Sequence, residues 1–149
     1  LLGLGPWQFE AACLALHALY LEKSYWRTQL SISFPRIRHS AGCFEPPFPV
    51  CDREMVQMIL ALRLFLPDAG LTLSTRETPA FRDGLIPICI TSVSAGSKTE
   101  PGGYTKPGKA EEQFEVVDKR PPKEVARFIE SRGLEPVFKD FDRAIFGDG

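Results

Sequence analysis

The chain predicts an α/β fold, half of a (βα)8 barrel followed by an extension, and three observations predict it. Three short runs alternate apolar and small polar residues with period two: Leu30-Ser31-Ile32-Ser33-Phe34, Leu71-Thr72-Leu73-Ser74 and Ile88-Cys89-Ile90-Thr91. Helical patterns separate them, leaving room for one helix between Ser33 and Ser74 and one between Ser74 and Ser94, as right-handed βαβ crossovers require. Each run ends in a polar segment: Phe34-Pro35-Arg36-Ile37-Arg38, Ser74-Thr75-Arg76-Glu77 and Ser92-Val93-Ser94-Ala95-Gly96-Ser97-Lys98. In a parallel sheet chemistry collects where strands run into their following loops. The three endings therefore build one polar rim, the expected active face.

Strands that are apolar on one side and carry Ser or Thr on the other suit a barrel wall, apolar side against outer helices and polar side toward a cavity. Only three or four strands are present, whereas a complete barrel takes ~250 residues. A bare half would expose two unpaired sheet edges. Half a barrel is expected, and the lack of an initiator Met suggests that the chain starts inside a larger one.

The elements follow in order. Residues 7–25 read as a helix whose Phe9, Cys13, Leu16 and Tyr20 fall at i, i+4, i+7 and i+11, a predicted core-facing stripe. After the strand at 30–34 comes a long loop, 36–51. Asp52 is the expected N-cap of a second helix ending near Leu66, with Met55, Ile59, Leu62 and Leu66 inward and Pro67-Asp68-Ala69-Gly70 as its stop. The strand at 71–74 leads through Thr78-Pro79, an N-cap and first-turn pair, into a short helix that Gly84 ends. A strand at 88–93 follows. Residues 99–119, rich in Gly, Pro and charge, should be loop. Pro121 and Pro122 open a last helix with Val125, Phe128 and Ile129 on its apolar side and Gly133 at C′. The expected division is 1–98 for the half-barrel and 99–149 for the extension.

Composition excludes some functions. The 149 residues are 44% hydrophobic and 25% charged, ordinary globular values, and a net charge of −1 gives no case for nucleic acid or an anionic membrane surface. Apolar stretches are broken by charge well before the ~20 residues a membrane span needs. Leu1-Leu2-Gly3-Leu4-Gly5 lacks the features of a signal peptide. No Cys-x-x-Cys pair occurs among Cys13, Cys43, Cys51 and Cys89, which argues against structural zinc. Cys13 and Cys89 read as small hydrophobes. Cys43 and Cys51 flank the Pro-rich loop 44–50, where a disulfide is conceivable but reduced thiols are expected.

Three segments carry a family resemblance: Leu30-Ser31-Ile32-Ser33-Phe34-Pro35-Arg36-Ile37-Arg38, Leu73-Ser74-Thr75-Arg76-Glu77, and Ser94-Ala95-Gly96-Ser97-Lys98-Thr99-Glu100-Pro101-Gly102-Gly103-Tyr104. They closely resemble the 2-iminoacetate synthase family, the radical S-adenosylmethionine tyrosine lyases of thiamine thiazole synthesis. Smaller agreements extend the match across nearly the whole chain: Leu1-Leu2-Gly3-Leu4, Tyr25-Trp26-Arg27-Thr28, Phe81-Arg82-Asp83, Glu112-Gln113-Phe114, and Glu135-Pro136-Val137-Phe138-Lys139-Asp140-Phe141-Asp142. Ordered motifs at consistent spacing make the likeness specific.

The resemblance implies the C-terminal half of a radical S-adenosylmethionine (βα)8 barrel plus an extension. The Cys-x3-Cys-x2-Cys motif that ligates the [4Fe–4S] cluster would lie upstream, so this stretch alone is expected not to cleave S-adenosyl-L-methionine, and no metal ligand is expected here. It also implies cleavage of the tyrosine Cα–Cβ bond to 2-iminoacetate and p-cresol, a bacterial cytoplasmic setting, a flavodoxin-type electron donor, and association with thiazole synthase.

The substrate carboxylate calls for a planar, always-charged guanidinium giving two parallel hydrogen bonds, and Arg76 at a strand end is the residue expected to supply it. Ser94 would add a neutral donor. Ser74 and Glu77 are further substrate-binding candidates, Glu77 reaching the amine or bracing Arg76. By resemblance, Leu2 and Gly3 correspond to the region packing near the adenosyl group. Phe34 and Pro35 would wall the adenine, and Arg36 would lie near the methionine carboxylate or the substrate. Each has a plainer reading: a rim ion pair for Arg76 and Glu77, a strand end for Leu2 and Gly3, loop chemistry after a strand for Phe34, Pro35 and Arg36.

His39 has the pKa range for proton transfer but is expected to be a loop residue, and His17 a structural one in a helix. Gly96-Ser97-Lys98-Thr99 is no phosphate-binding loop, because Ser97 breaks the Gly-Lys adjacency and position 91 is Thr. Two alternatives stand. The related tyrosine lyase of hydrogenase maturation shares the Ser-Thr-Arg-Glu and Ser-Ala-Gly-Ser features but carries a C-terminal Cys-x-x-Cys, and residues 137–143 contain no cysteine. The other is a non-catalytic half-barrel interaction module, which a continuous upstream reading frame encoding the cluster cysteines would exclude.

Overall fold

The computed structural model describes residues 1–37, 44–99 and 116–138. Its elements are α1 (Trp7–Ser24), β1 (Ser31–Ser33), α2 (Asp52–Phe65), β2 (Gly70–Leu73), α3 (Pro79–Leu85), β3 (Ser92–Val93) and α4 (Pro122–Ser131). The strands form a parallel sheet in the order β1-β2-β3, with Ser33 opposite Thr72 and Thr72 opposite Ser92. This is the α/β class with the predicted strand–helix alternation.

Alternation sorts the two sheet faces. Ile32, Leu71 and Leu73 are buried and pack with Met55, Met58, Ile59, Leu62 and Leu66 of the α2 segment. Ser31 and Thr72 lie on the opposite face, their hydroxyls 3.1 Å apart. The α2 stripe faces the core as expected. Its N-cap is Cys51 rather than Asp52, with Glu54 accepting the Cys51 N–H at 2.9 Å. Thr78 caps α3 as predicted, its hydroxyl accepting from the Phe81 N–H. After α4, Gly133 takes φ +76°, the left-handed C′ position expected of it.

Two further expectations are corrected. Phe9, Leu16 and Tyr20 of α1 are each more than 60% exposed, and Cys13 is exposed too. The face that meets the core is made by Trp7, Ala11, Leu14, Ala15 and Ala18. Its members sit two residues from the expected stripe, about 200° around the helix. Alanines let α1 approach closely, so the larger side chains are left outside.

The second correction is β3, which spans Ser92–Val93 and not 88–93. The amides of Ile88 and Cys89 both donate to the Leu85 carbonyl, so the end of α3 takes up the apolar run as turns. Cys89 is buried there, and burial pushes its thiol up. Thr91 keeps the ladder going with its side chain: its hydroxyl accepts the Leu71 N–H at 2.8 Å.

Candidate active site

Parallel strands in this register bring their three C-terminal ends to one edge of the sheet. Residues 34–36, 74–77 and 94 therefore lie side by side, as the polar rim required. Leu2 joins them through a parallel bridge to Arg36, its N–H donating to the Pro35 carbonyl at 2.8 Å while its carbonyl accepts from Ile37 at 2.9 Å. Gly3 follows at φ +118°, with Pro46 only 3.1 Å from where a Cβ would stand, so a side chain there is strained by the backbone and tightly packed. Leu2, Phe34 and Pro35 line a groove of about 330 Å³ that also reaches Cys13 and the exposed His17 on α1.

Arg36 is buried, and its guanidinium is committed. Nε donates to Glu77 Oε1 at 3.0 Å and Nη2 to Glu77 Oε2, the paired geometry of arginine with carboxylate. Nη2 also meets Asp52 at 2.5 Å, Nη1 donates to the Val50 carbonyl at 3.0 Å, and the Phe81 ring lies 5.2 Å away. Burial pulls the Arg36 pKa down, but bonds and charges from Glu77 and Asp52 outweigh it and leave it raised. Glu77 thus holds Arg36 at this rim.

Arg76 sits between these groups, half-buried. Its N–H donates to the Ser74 hydroxyl at 3.4 Å, and one Nη reaches the Arg36 carbonyl at 3.5 Å. Ser94 is half-buried beyond the end of β3, its N–H donating to the Leu73 carbonyl at 3.1 Å. Gly96, at φ +63°, turns the chain against the first proline of α4, whose Cδ lies 2.9 Å from a built Cβ.

One cluster was not foreseen. Arg82 of α3 and Asp118 of the extension are both fully buried and paired through Arg82 Nη1 and Asp118 Oδ2, while Arg82 Nη2 donates to the Ser94 carbonyl. Arg120 donates to Asp118 through its backbone N–H at 3.1 Å, Nε at 2.9 Å and Nη2 at 2.7 Å, and grips Asp83 with both Nη groups. Burial pushes the Asp118 carboxyl up, but hydrogen bonds from Arg120 and the charges of Arg82 and Arg120 hold it below the usual range. Burial lowers Arg82, whereas its bonds to Asp118 and Asp83 raise Arg120. The available sequence signal was Arg82-Asp83 against Asp118-Lys119-Arg120, two opposed charge pairs.

Among the described residues no three His, Cys, Asp or Glu side chains gather as a metal site. No helix there is long and apolar enough to cross a membrane. Arg38, His39, Cys43, residues 100–115 with Tyr104, and the tail from 139 lie outside the described residues.

The Biotin and Thiamin Synthesis associated domain matches residues 33–135. The chain is 46% identical over 143 residues to 2-iminoacetate synthase of Escherichia coli (strain K12), and 45% identical to that of Salmonella typhimurium (strain LT2). Each match covers 95% of this chain but only 38% of the relative. Among solved structures it is similar to HydG, a maturase of the [FeFe]-hydrogenase, with TM-score 0.80 and 37% identity over 90% of this chain and 29% of that one. HydG from Carboxydothermus hydrogenoformans gives TM-score 0.76 and 30% identity over 90% of this chain and 30% of its own.

Proposed function

Because this chain belongs to the Biotin and Thiamin Synthesis associated domain family, we propose that it is the C-terminal part of a radical S-adenosylmethionine tyrosine lyase. The full protein would cleave tyrosine between Cα and Cβ to give 2-iminoacetate and p-cresol for the thiamine thiazole. The observation that carries this reading is the 46% identity to a 2-iminoacetate synthase across 95% of the chain. We read the parallel sheet as the last strands of a (βα)8 barrel, 1–98, with 99–149 as the extension. The likeness of fold to the HydG structures supports this.

The described residues fit a division of labour. Leu2, Phe34 and Pro35 offer apolar walls and backbone to one groove, suited to the adenosyl group of S-adenosyl-L-methionine, and Gly3 follows Leu2 in the chain. Arg36 follows Pro35 in the chain, its guanidinium being taken by Glu77 and Asp52. The [4Fe–4S] cluster would be ligated elsewhere in the full protein. Together these two groups supply, when bound, a 5′-deoxyadenosyl radical.

The chain's own task is to orient tyrosine and keep water out. Arg76 would hold the carboxylate, with Ser94 and Ser74 as neutral donors and Glu77 keeping Arg36 in place behind them. We place the protein in the cytoplasm, with a flavodoxin-type donor and thiazole synthase as partners. The test is anaerobic incubation of the full-length protein with reductant, S-adenosylmethionine and tyrosine. p-Cresol together with 2-iminoacetate or its hydrolysis product supports the reading, and no p-cresol sinks it. Carbon monoxide and cyanide from the same tyrosine would move the protein to the hydrogenase-maturation lyases, the second reading that the HydG likeness favours.

A further inference from the structure

The extension touches the rim at two backbone positions. Val117 and Asp118 both donate their N–H groups to the Thr75 carbonyl, at 3.0 and 2.9 Å, and Thr75 lies between Ser74 and Arg76. Through Asp118 the same segment holds Arg82, whose other Nη grips the Ser94 carbonyl. One guanidinium therefore spans α3, the end of β3 and the extension, and none of it is exposed. Arg120 fixes the Asp118 carboxylate from the other side and anchors itself on Asp83, one residue from Arg82.

We infer that Arg82 and Asp118 are positioning residues for the tyrosine site, the extension setting Ser94 and the Ser74–Arg76 turn from behind. The inference rests on the tyrosine-lyase reading for what the rim binds, but its mechanical half stands on the geometry alone. Between them the two residues end on the backbone of both strand ends, Asp118 on Thr75 and Arg82 on Ser94. Its hold matters because two hydrogen-bonding groups aimed at one carboxylate must keep their separation. A misplacement of about 1 Å at a reacting centre can cost ~100-fold in rate.

The test uses the full-length enzyme carrying Asp118→Ala, with Arg82→Lys as a second variant that keeps the buried charge and loses the planar fork. Amide hydrogen exchange is read first. Exchange should quicken further at Ser94, Val117 and residue 118 than at the buried amides of α2, which follow the loss of global stability alone. Kinetics are read second: the KM for tyrosine should rise about tenfold or more, the size expected from a misaligned charge-assisted hydrogen bond. 5′-Deoxyadenosine formed without tyrosine should stay within about twofold, a small change on that scale. Arg82→Lys should move the same readouts in the same direction by less.

Quickening no greater at these amides than in α2, or an unchanged tyrosine KM beside local loosening, would make the pair a structural one and overturn the proposal. Failure of the wild type to make p-cresol would instead remove the tyrosine-lyase reading. The exchange arm would then still decide whether the extension fixes the two strand ends.

Discussion

Two arginines are buried on carboxylates at the same rim, and they are buried differently. Arg36 pairs with Glu77 but keeps Asp52, whose side chain is 64% exposed, and the Val50 carbonyl as further acceptors. Arg82 has Asp118 as its carboxylate, with both side chains at 0% exposure, and the Ser94 carbonyl beside it. The first joins neighbouring parts of the sheet. The second joins the sheet to the extension. What decides the importance of such a pair is what the arginine is left with when its partner is removed, because an uncompensated buried charge is the costly state.

That difference predicts a ranking. Asp118→Ala leaves Arg82 with a carbonyl alone, and urea unfolding of the full-length protein should show a loss near ~5 kcal/mol, the upper end for breaking a buried pair. Glu77→Ala leaves Arg36 with Asp52, whose water-facing carboxylate softens the loss to ~3 kcal/mol. Equal losses from the two variants would mean that Asp52 does nothing for Arg36.

Arg76, between the pairs, should behave in the opposite sense. Arg76→Ala is expected to cost less unfolding free energy than either of these variants, about 1 kcal/mol. Tyrosine affinity should fall at least about tenfold, from a charge-assisted bond of ~1.5–3 kcal/mol. Binding and unfolding measured on the same variant separate these effects, and a stability loss without an affinity loss would make Arg76 a third structural arginine.

The smallest effect is expected in acid. The Asp118 carboxyl is held below its ordinary range in the folded protein. Its contribution to stability is complete above the unfolded aspartate value, ~3.9, and is lost as pH falls through the lower folded value. Unfolding followed at pH 6 and pH 3 should show a larger loss in the wild type than in Asp118→Asn.

Much of this was legible in the sequence, for reasons the two long helices make plain. In α2 one stripe is apolar and the opposite face carries Arg53, Gln57 and Ala61, so the 3.6-residue period has a single reading. In α1 two opposite faces are apolar, Trp7-Ala11-Leu14-Ala18 and Phe9-Cys13-Leu16-Tyr20. Periodicity cannot rank them, and bulk favoured the wrong one. The strand ends could be read because each polar ending follows its strand directly. The Arg82–Asp118 pair could not, since the partners stand 36 positions apart and only the fold brings them together. Arg36 was singled out for its type and place, but its inward turn depends on Val50, Asp52 and Glu77 meeting at one point.

The Thr75 carbonyl, which receives two amides from the extension, has a consequence for the order in which the molecule assembles. Those contacts close a loop of roughly forty residues, whose entropic cost must be met before they give anything back. The β2–α3 turn forms locally, and the extension leaves the ribosome after it, since synthesis runs from the N-terminus. The rim is thus completed last. Contacts made after the transition state govern unfolding rather than folding. Asp118→Ala should accordingly speed unfolding and leave the refolding rate nearly unchanged, so that the extension acts as the kinetic latch of the substrate face.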